Sequence, residues 1–383
     1  MPMMPRRPET SGLGVAGMVL GILALCGGLT ALPAVICSHL SLRSIRRSGG
    51  HLGGRGMAVA GLVLGYLGLA GGILVLLMVR AGAKAEAEKE ALARAPFDVA
   101  AVAIPAFPPL PDFAPLGEDG VEAGQVRLKA GGGPGESMSL RIYRPAGNHG
   151  AGTLGCVLVA PAGTTLLSGT DIGELDDEAY HDECLPYAEA GMAVVMYSLD
   201  GHLADEDSAD ERKVGAAYEA FREAQAGLVN SRNALEFVLA RMPEVDRSKV
   251  FSAGHSSAAT LSLLFGEHEP RLAGCIAYAP AVDVEARLAE VIANPFSGLS
   301  FPGCRELLKR ASPKTHAGRL DIPVFLFHAA DDENVPVSDT RDFAAGLKSR
   351  GAKVTYREVS DGGHYESMIV EGIPAGIGWM KER

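Results

Sequence analysis

Val250-Phe251-Ser252-Ala253-Gly254-His255-Ser256-Ser257-Ala258-Ala259 reads as an apolar strand, a sharp turn and the first turn of a helix. At the turn stands Gly-x-Ser-x-small, from Gly254 to Ala258. A serine presented on such an elbow needs small neighbours, because the backbone there is strained and packs closely against the adjoining elements. Ala258 occupies the place where a second glycine is commoner. The pentapeptide alone arises by chance; its position between strand and helix makes Ser256 a candidate nucleophile.

Outward from the elbow, short β-rich runs alternate with helical stretches. Strands are expected at 125–130, 138–145, 155–161, 192–198, 249–253, 273–279, 322–328 and 353–359, and helices at 211–241, 257–267, 283–294, 337–350 and 364–381. Several strands are continuously apolar, which suits burial on both faces of a parallel sheet. The pattern predicts an open α/β sheet of eight mostly parallel strands with flanking helices, over residues 119–383. In such sheets, chemistry gathers beyond the C-terminal ends of the strands. Two further loops of that kind stand out. After the seventh strand comes His328-Ala329-Ala330-Asp331-Asp332-Glu333-Asn334-Val335-Pro336, with an acid able to orient a histidine. After the eighth comes Ser360-Asp361-Gly362-Gly363-His364-Tyr365, a histidine behind two glycines. One of Asp331 and Asp332 is accounted for as a helix cap. Of the other histidines, His255 is expected to pack at the elbow, and His181 and His202 to lie on the surface.

Serine, acid and histidine in that chain order resemble the α/β-hydrolase superfamily. The similarity is strongest to the catalytic domain of the prolyl oligopeptidase family and to dienelactone-hydrolase-like esterases, and covers about 150–381. Its carriers are Gly254-His255-Ser256-Ser257-Ala258, the His328-x-x-x-Asp332-x-x-Val335-Pro336 pattern and Gly363-His364. The resemblance implies a serine hydrolase with Ser256 as nucleophile, His364 as base and Asp332, rather than Asp331, as the acid. It also implies an oxyanion hole from the Ser257 amide and a donor on the loop 160–164, either Ala162 or Gly163. The usual His-Gly start of that loop is absent here. No cofactor and no metal are expected, and the six cysteines lack metal spacing, although Cys184 and Cys304 could pair in an oxidising compartment.

Substrate is less legible. Seven acids crowd 171–183 and a second acidic cluster follows at 205–211. They read as solvated loops, or as a bias towards cationic or neutral substrates if they lie near the pocket. Residues 281–320 form an insert whose Phe296, Leu299, Phe301 and Pro302 would either line an acyl pocket or pack a lid down. The oligopeptidase relatives filter peptides with a large propeller, for which the chain has no room ahead of the first strand. A small-molecule ester is therefore favoured over a short peptide, and a catalytically inactive binding module is the remaining alternative.

The first part of the chain is chemically different. Residues 1–95 carry a balance of +6 and the rest −17, within a net charge of −11. The acidic larger part argues against nucleic-acid binding. Two uncharged apolar stretches, about 12–37 and 57–79, each exceed the roughly 20 residues of a membrane-crossing helix. They are copies: over 14–28 against 58–72, ten of fifteen positions are identical. Both hold Gly-x-x-x-Gly (Gly17/Gly21, Gly61/Gly65), a pattern that lets helices approach closely in lipid, as a hairpin or as a homo-oligomer face. Residues 12–79 resemble a small bacterial two-helix membrane module of unknown function. A two-pass membrane protein is expected over 1–80, with a slight lean towards a cytoplasmic loop and an exported enzyme, because Arg43, Arg46, Arg47 and Arg55 are unneutralised. A helical stalk and an extended proline-rich spacer are expected over 81–118.

Overall fold

In the first unit of the computed structural model, Met1–Glu90, helix α1 (Gly12–Ala24) follows a two-residue strand β1 (Glu9–Thr10). The structure describes all residues except 1–6, 27, 118–119, 129–130 and 295–296. Phe296 and the end of the expected strand 125–130 therefore lie outside the described residues. The stretch 12–37, expected as one crossing, is divided: after α1 the chain turns and runs back as α2 (Ala31–Arg47). Gly28 takes a φ of +75°, which glycine adopts without a steric penalty, and its amide donates to the Ala24 carbonyl. Thr30 Oγ1 donates to the Leu20 carbonyl at 2.8 Å and fastens the turn.

The chain then repeats itself. Strand β2 (Leu52–Gly53) leads into α3 (Arg55–Ala93), and β2 pairs with β1 in parallel, Glu9 opposite Leu52. The two glycine-rich copies lie side by side: a Cβ on Gly61 would come within 2.5 Å of the Gly17 backbone, its equivalent in the first copy. The Gly-x-x-x-Gly faces are thus used within the chain. Among the described residues, α3 is the one helix long and apolar enough to cross a membrane. It continues through the expected stalk.

The second unit, Ala91–Arg383, is built on a nine-stranded sheet. Its strands are β3 (Ala114–Leu116), β4 (Val121–Arg127), β5 (Ser139–Pro145), β6 (Leu154–Val159), β7 (Ala193–Tyr197), β8 (Val245–His255), β9 (Gly274–Tyr278), β10 (Val324–Ala329) and β11 (Val354–Val359). The order is β11-β10-β9-β8-β6-β7-β5-β4-β3. All eight expected strands are present, with β3 added at the edge. The six from β6 to β11 are parallel; β5, β4 and β3 are antiparallel. One face is covered by α4 (His181–Glu189) and a final helix at Ile373–Lys381, the other by α5 (Glu211–Glu223), α6 (Leu228–Arg241) and α7 (Ser257–His268). The expected helix 211–241 is two helices because Gln225, Ala226 and Gly227 all take positive φ. The insert 281–320 folds into short helices packed on the same face as α5; Phe301 stacks edge-on to Tyr218 at 5.2 Å, while Leu299 is exposed. All six cysteines are free. Cys184 and Cys304 are buried in the layers on opposite faces of the sheet, which rules out the pairing considered above.

The proline-rich stretch expected as an extended spacer is pinned to the second unit. Arg232 donates from Nη1 to the carbonyls of Val99 and Val102, both at 2.6 Å, and from Nη2 to that of Ala103. Arg310 donates to Ala95 and Pro96, and His268 Nε2 accepts from the Phe97 amide at 3.1 Å. Phe97 is buried, and Phe107 packs edge-on against Phe237. Proline leaves backbone carbonyls without local partners, and the two arginines take several of them.

Several titratable groups are buried in this unit. Burial, helped by Asp182, pushes the Glu183 carboxyl up to about 8. Burial holds Glu267 well above its usual range, and neither of its oxygens has a partner among the described residues. Burial pushes His255 and His268 down to about 4. The histidines stay neutral in the fold while unfolded ones protonate, so their stabilisation is complete above pH 6.5 and lost as pH falls towards 4. The glutamates stay protonated in the fold while unfolded ones ionise, so their contribution is complete below pH 4.5 and lost as pH rises. Above pH 6.5 only the glutamate effect operates. Thermal melting of the full-length protein should therefore show stability falling between pH 6.5 and 8. The Glu267→Gln protein should lose its share of that slope.

Candidate active site

The elbow is built at the end of β8. Ser256 has φ 55° and ψ −119°, a conformation that side chains rarely adopt. The neighbouring sheet holds it there: its amide donates to the Tyr278 carbonyl of β9 at 2.9 Å. A Cβ on Gly254 would stand 2.5 Å from the Ala258 backbone, so glycine is required at the first place and a small residue at the second. Alanine satisfies the second requirement.

Asp332 lies in the turn after β10, its side chain shielded from solvent. Oδ1 accepts from the amides of Asn334 and Val335 at 2.8 and 2.9 Å. Oδ2 accepts from His364 Nδ1 at 2.7 Å and from His328 Nε2 at 2.9 Å. Burial alone would raise this carboxyl, but the donors from His328, His364, Val335 and Asn334 together hold it well below the usual carboxylate range. Asp331 acts elsewhere, since its Oδ1 accepts from the Gly363 amide at 2.9 Å and anchors the loop that carries His364. The two neighbouring aspartates are thereby told apart by geometry.

His364 follows Gly362 and Gly363, both at positive φ, in the turn after β11. Its Nδ1 faces Asp332, while its Nε2 is buried and has no partner among the described residues. No hydrogen bond joins Nε2 to Ser256 Oγ in this structure. The acid–histidine half of the constellation is assembled and the histidine–serine half is open, as is common where no substrate is bound. His255, next to Ser256, packs against His364: its Nε2 donates to the His364 carbonyl at 2.8 Å and the two rings are 4.5 Å apart. Burial and the adjacent His364 hold His255 neutral.

The loop after β6 lies against the elbow. The Thr164 amide donates to Ser257 Oγ at 3.1 Å, and Tyr180 OH donates to the Ala162 carbonyl at 3.2 Å. Thr164 is therefore committed, whereas among the described residues the amides of Ala162 and Gly163 meet no acceptor in the chain. Ser257 is the first residue of α7, so its amide is at the helix N-terminus, where donors are left over.

Sequence reasoning passed over three contributors. His328 was legible only as part of a pattern, yet it is fully buried and donates to the same Asp332 oxygen as His364, with its Nδ1 on Thr340 Oγ1 at 2.8 Å. Tyr365 donates to Asp182 at 2.6 Å. Buried Arg141 fixes the acidic loop by donating to the carbonyls of Ile172, Glu174 and Ala179. Of the acidic residues, Glu178 and Asp182 line an open groove that also contains Tyr365. The 205–211 cluster caps α5 through Asp210. His202 Nδ1 accepts from the Asp171 amide at the surface, whereas His181 is half-buried, with its ring edge-on to Tyr143 at 5.6 Å. Among the described residues no group of His, Cys, Asp and Glu could hold a metal ion.

The family model described as the prolyl oligopeptidase family matches residues 221–376, a segment that includes Ser256, Asp332 and His364. A domain of unknown function, DUF4190, matches residues 13–75. No curated protein matches the chain. Among solved structures, the chain is similar to the acetyl xylan esterase from Paenibacillus sp. R4, with 16% identity, 77% of this chain and 92% of that one covered, and a TM-score of 0.53. Acetyl xylan esterase 1 from Thermoanaerobacterium sp. JW/SL YS485 gives 17% identity, 72% and 88% coverage, and a TM-score of 0.50. The acylaminoacyl peptidase of Pyrococcus horikoshii gives 16% identity and a TM-score of 0.51, with 68% of this chain aligned to 41% of that one. These structures share the fold. With the family match spanning elbow, acid and histidine in that order, the chain is a serine hydrolase of the α/β-hydrolase fold, joined to an N-terminal domain of unknown function.

Proposed function

We propose that this protein cleaves carboxylic esters through an acyl-enzyme formed on Ser256, at a lipid bilayer held by its first unit. A serine hydroxyl is a poor nucleophile until a base takes its proton during attack. His364 Nε2 takes that proton, and Asp332 holds the tautomer in which Nε2 is free and stabilises the imidazolium that forms. The carbonyl oxygen becomes an oxyanion against the amides of Ser257 and of Ala162 or Gly163. The imidazolium then protonates the departing alkoxide, and water attacks the acyl-enzyme by the same route in reverse. The observation that carries this reading is the buried Asp332 oxygen bonded to His364 at 2.7 Å, beside a serine held at positive φ.

An ester is favoured over a peptide because the residues between α3 and β4 are pinned to the enzyme's own surface and form no separate substrate filter. The acylaminoacyl peptidase fold likeness supports the alternative, a peptidase. A fluorophosphonate probe is expected to label Ser256, and p-nitrophenyl acyl esters should be turned over with higher kcat/KM than peptide anilides. The reverse preference would establish a peptidase. A folded protein that takes no label would be a binding module instead.

A further inference from the structure

We infer that the first unit crosses the bilayer an odd number of times, leaving residues 7–11 and the 48–54 turn inside the cell and the chain after α3 outside. This rests on reading Met1–Glu90 as a membrane anchor. Strands β1 and β2 pair in parallel, and the helices they introduce run side by side in the same direction: Gly17 faces Gly61, and Gly28 faces Gly68 and Gly72. Both α1 and α3 therefore start at one face of the module. Helix α2 brings the chain back to that face, since Ser38 lies against Gly17 and Ser41 against Gly14. Only α3 then leaves it without returning.

Depth points the same way. Thirteen residues of α1 rise about 20 Å, short of a hydrocarbon core of about 30 Å. The hairpin tip at Gly28 is level with Gly68 and Gly72, and seven exposed apolar residues of α3, 73–79, continue past it for about 10 Å. From Gly56 to Val79 the helix spans about 36 Å, enough for a full crossing. A tip inside the bilayer must satisfy its own polar groups. Here the amides of Leu25, Cys26, Gly28 and Ala31 and the Thr30 hydroxyl all bond to carbonyls of the hairpin itself. The side chain of Leu29 is almost fully exposed, as a lipid-facing residue would be.

The arrangement also gathers the charges that a two-pass layout divides. Arg7, Arg43, Arg46, Arg47 and Arg55 fall on the starting face, with Glu9 as the one described acid there. Past the far end, Arg80, Lys84 and Lys89 are interleaved with Glu86, Glu88 and Glu90, and Lys84 pairs with Glu88. Positive charge in short loops marks the cytoplasmic side, and this count favours the starting face.

The test is labelling of the full-length chain, with Cys26 and Cys37 changed to alanine, by a membrane-impermeant maleimide in spheroplasts of an expressing bacterium. The Ser349→Cys protein should react in intact spheroplasts, and the His51→Cys protein only after lysis. Equal behaviour of the two sites would overturn the odd crossing, and the opposite pattern would overturn the orientation. Loss of both proteins from carbonate-washed membranes would instead refute the anchor reading itself.

Discussion

Turnover of activated esters by the Ser256→Ala protein should fall by roughly 10³-fold or more, to what binding and oxyanion stabilisation alone sustain. The substitution removes one oxygen and leaves the elbow intact, because the strained backbone is held by the Tyr278 carbonyl and by the close contact of Gly254 with Ala258, not by the serine side chain. Melting temperature is therefore expected to stay the same or rise. Steady-state kinetics beside thermal melting separate the two effects. Turnover close to that of the unaltered protein would mean that the elbow serine is not the nucleophile.

The Asp332→Asn protein is expected to lose roughly 10⁴-fold in kcat, by analogy with other triads in which the acid becomes an amide. Oδ2 accepts from two histidines, so an amide at this position must either turn its NH₂ group towards donors or leave one unpaired. Turned towards His364 Nδ1, it would demand the tautomer that carries its proton on Nε2, which cannot accept from serine. The matching Asp331→Asn change touches only the bond to the Gly363 amide, and an effect within about tenfold is expected. Parallel kinetics of the two proteins are the check. Asp331→Asn proving the more damaging would reverse the assignment of the acid. Because Asp332 is held well below the usual carboxylate range, its own titration should not appear in the pH–rate profile above that range.

How much of this was legible in the sequence depended on whether the determining contacts were local. Several strands of the enzyme are continuously apolar runs flanked by turn residues; the eight expected strands form, the first of them shifted to Val121–Arg127, and β3 is additional. The elbow too is local, since its requirement for small residues is met within five positions. Choosing Asp332 over Asp331 depended on a family resemblance, because the distinguishing partners, Gly363 and His364, lie 32 residues downstream. The proline-rich segment departs from its expected state for a similar reason. Its composition confines ladder pairing to the short edge strand β3, but whether the rest stays free is decided by Arg232, Arg310 and His268, more than 100 positions away. In the first unit, hydropathy marks apolar length correctly and carries no direction. The glycines near 27–28 look like ordinary packing glycines in the sequence, although a helix in which Gly28 takes positive φ has to end there.

The pinned segment also defines a load path. Tension along the chain from the first unit would enter the enzyme at residues 95–103, through Arg310, His268 and Arg232. His268 is the last residue of α7, whose opposite end begins at the elbow. A pull on this segment would thus be felt at the end of α7 opposite the elbow.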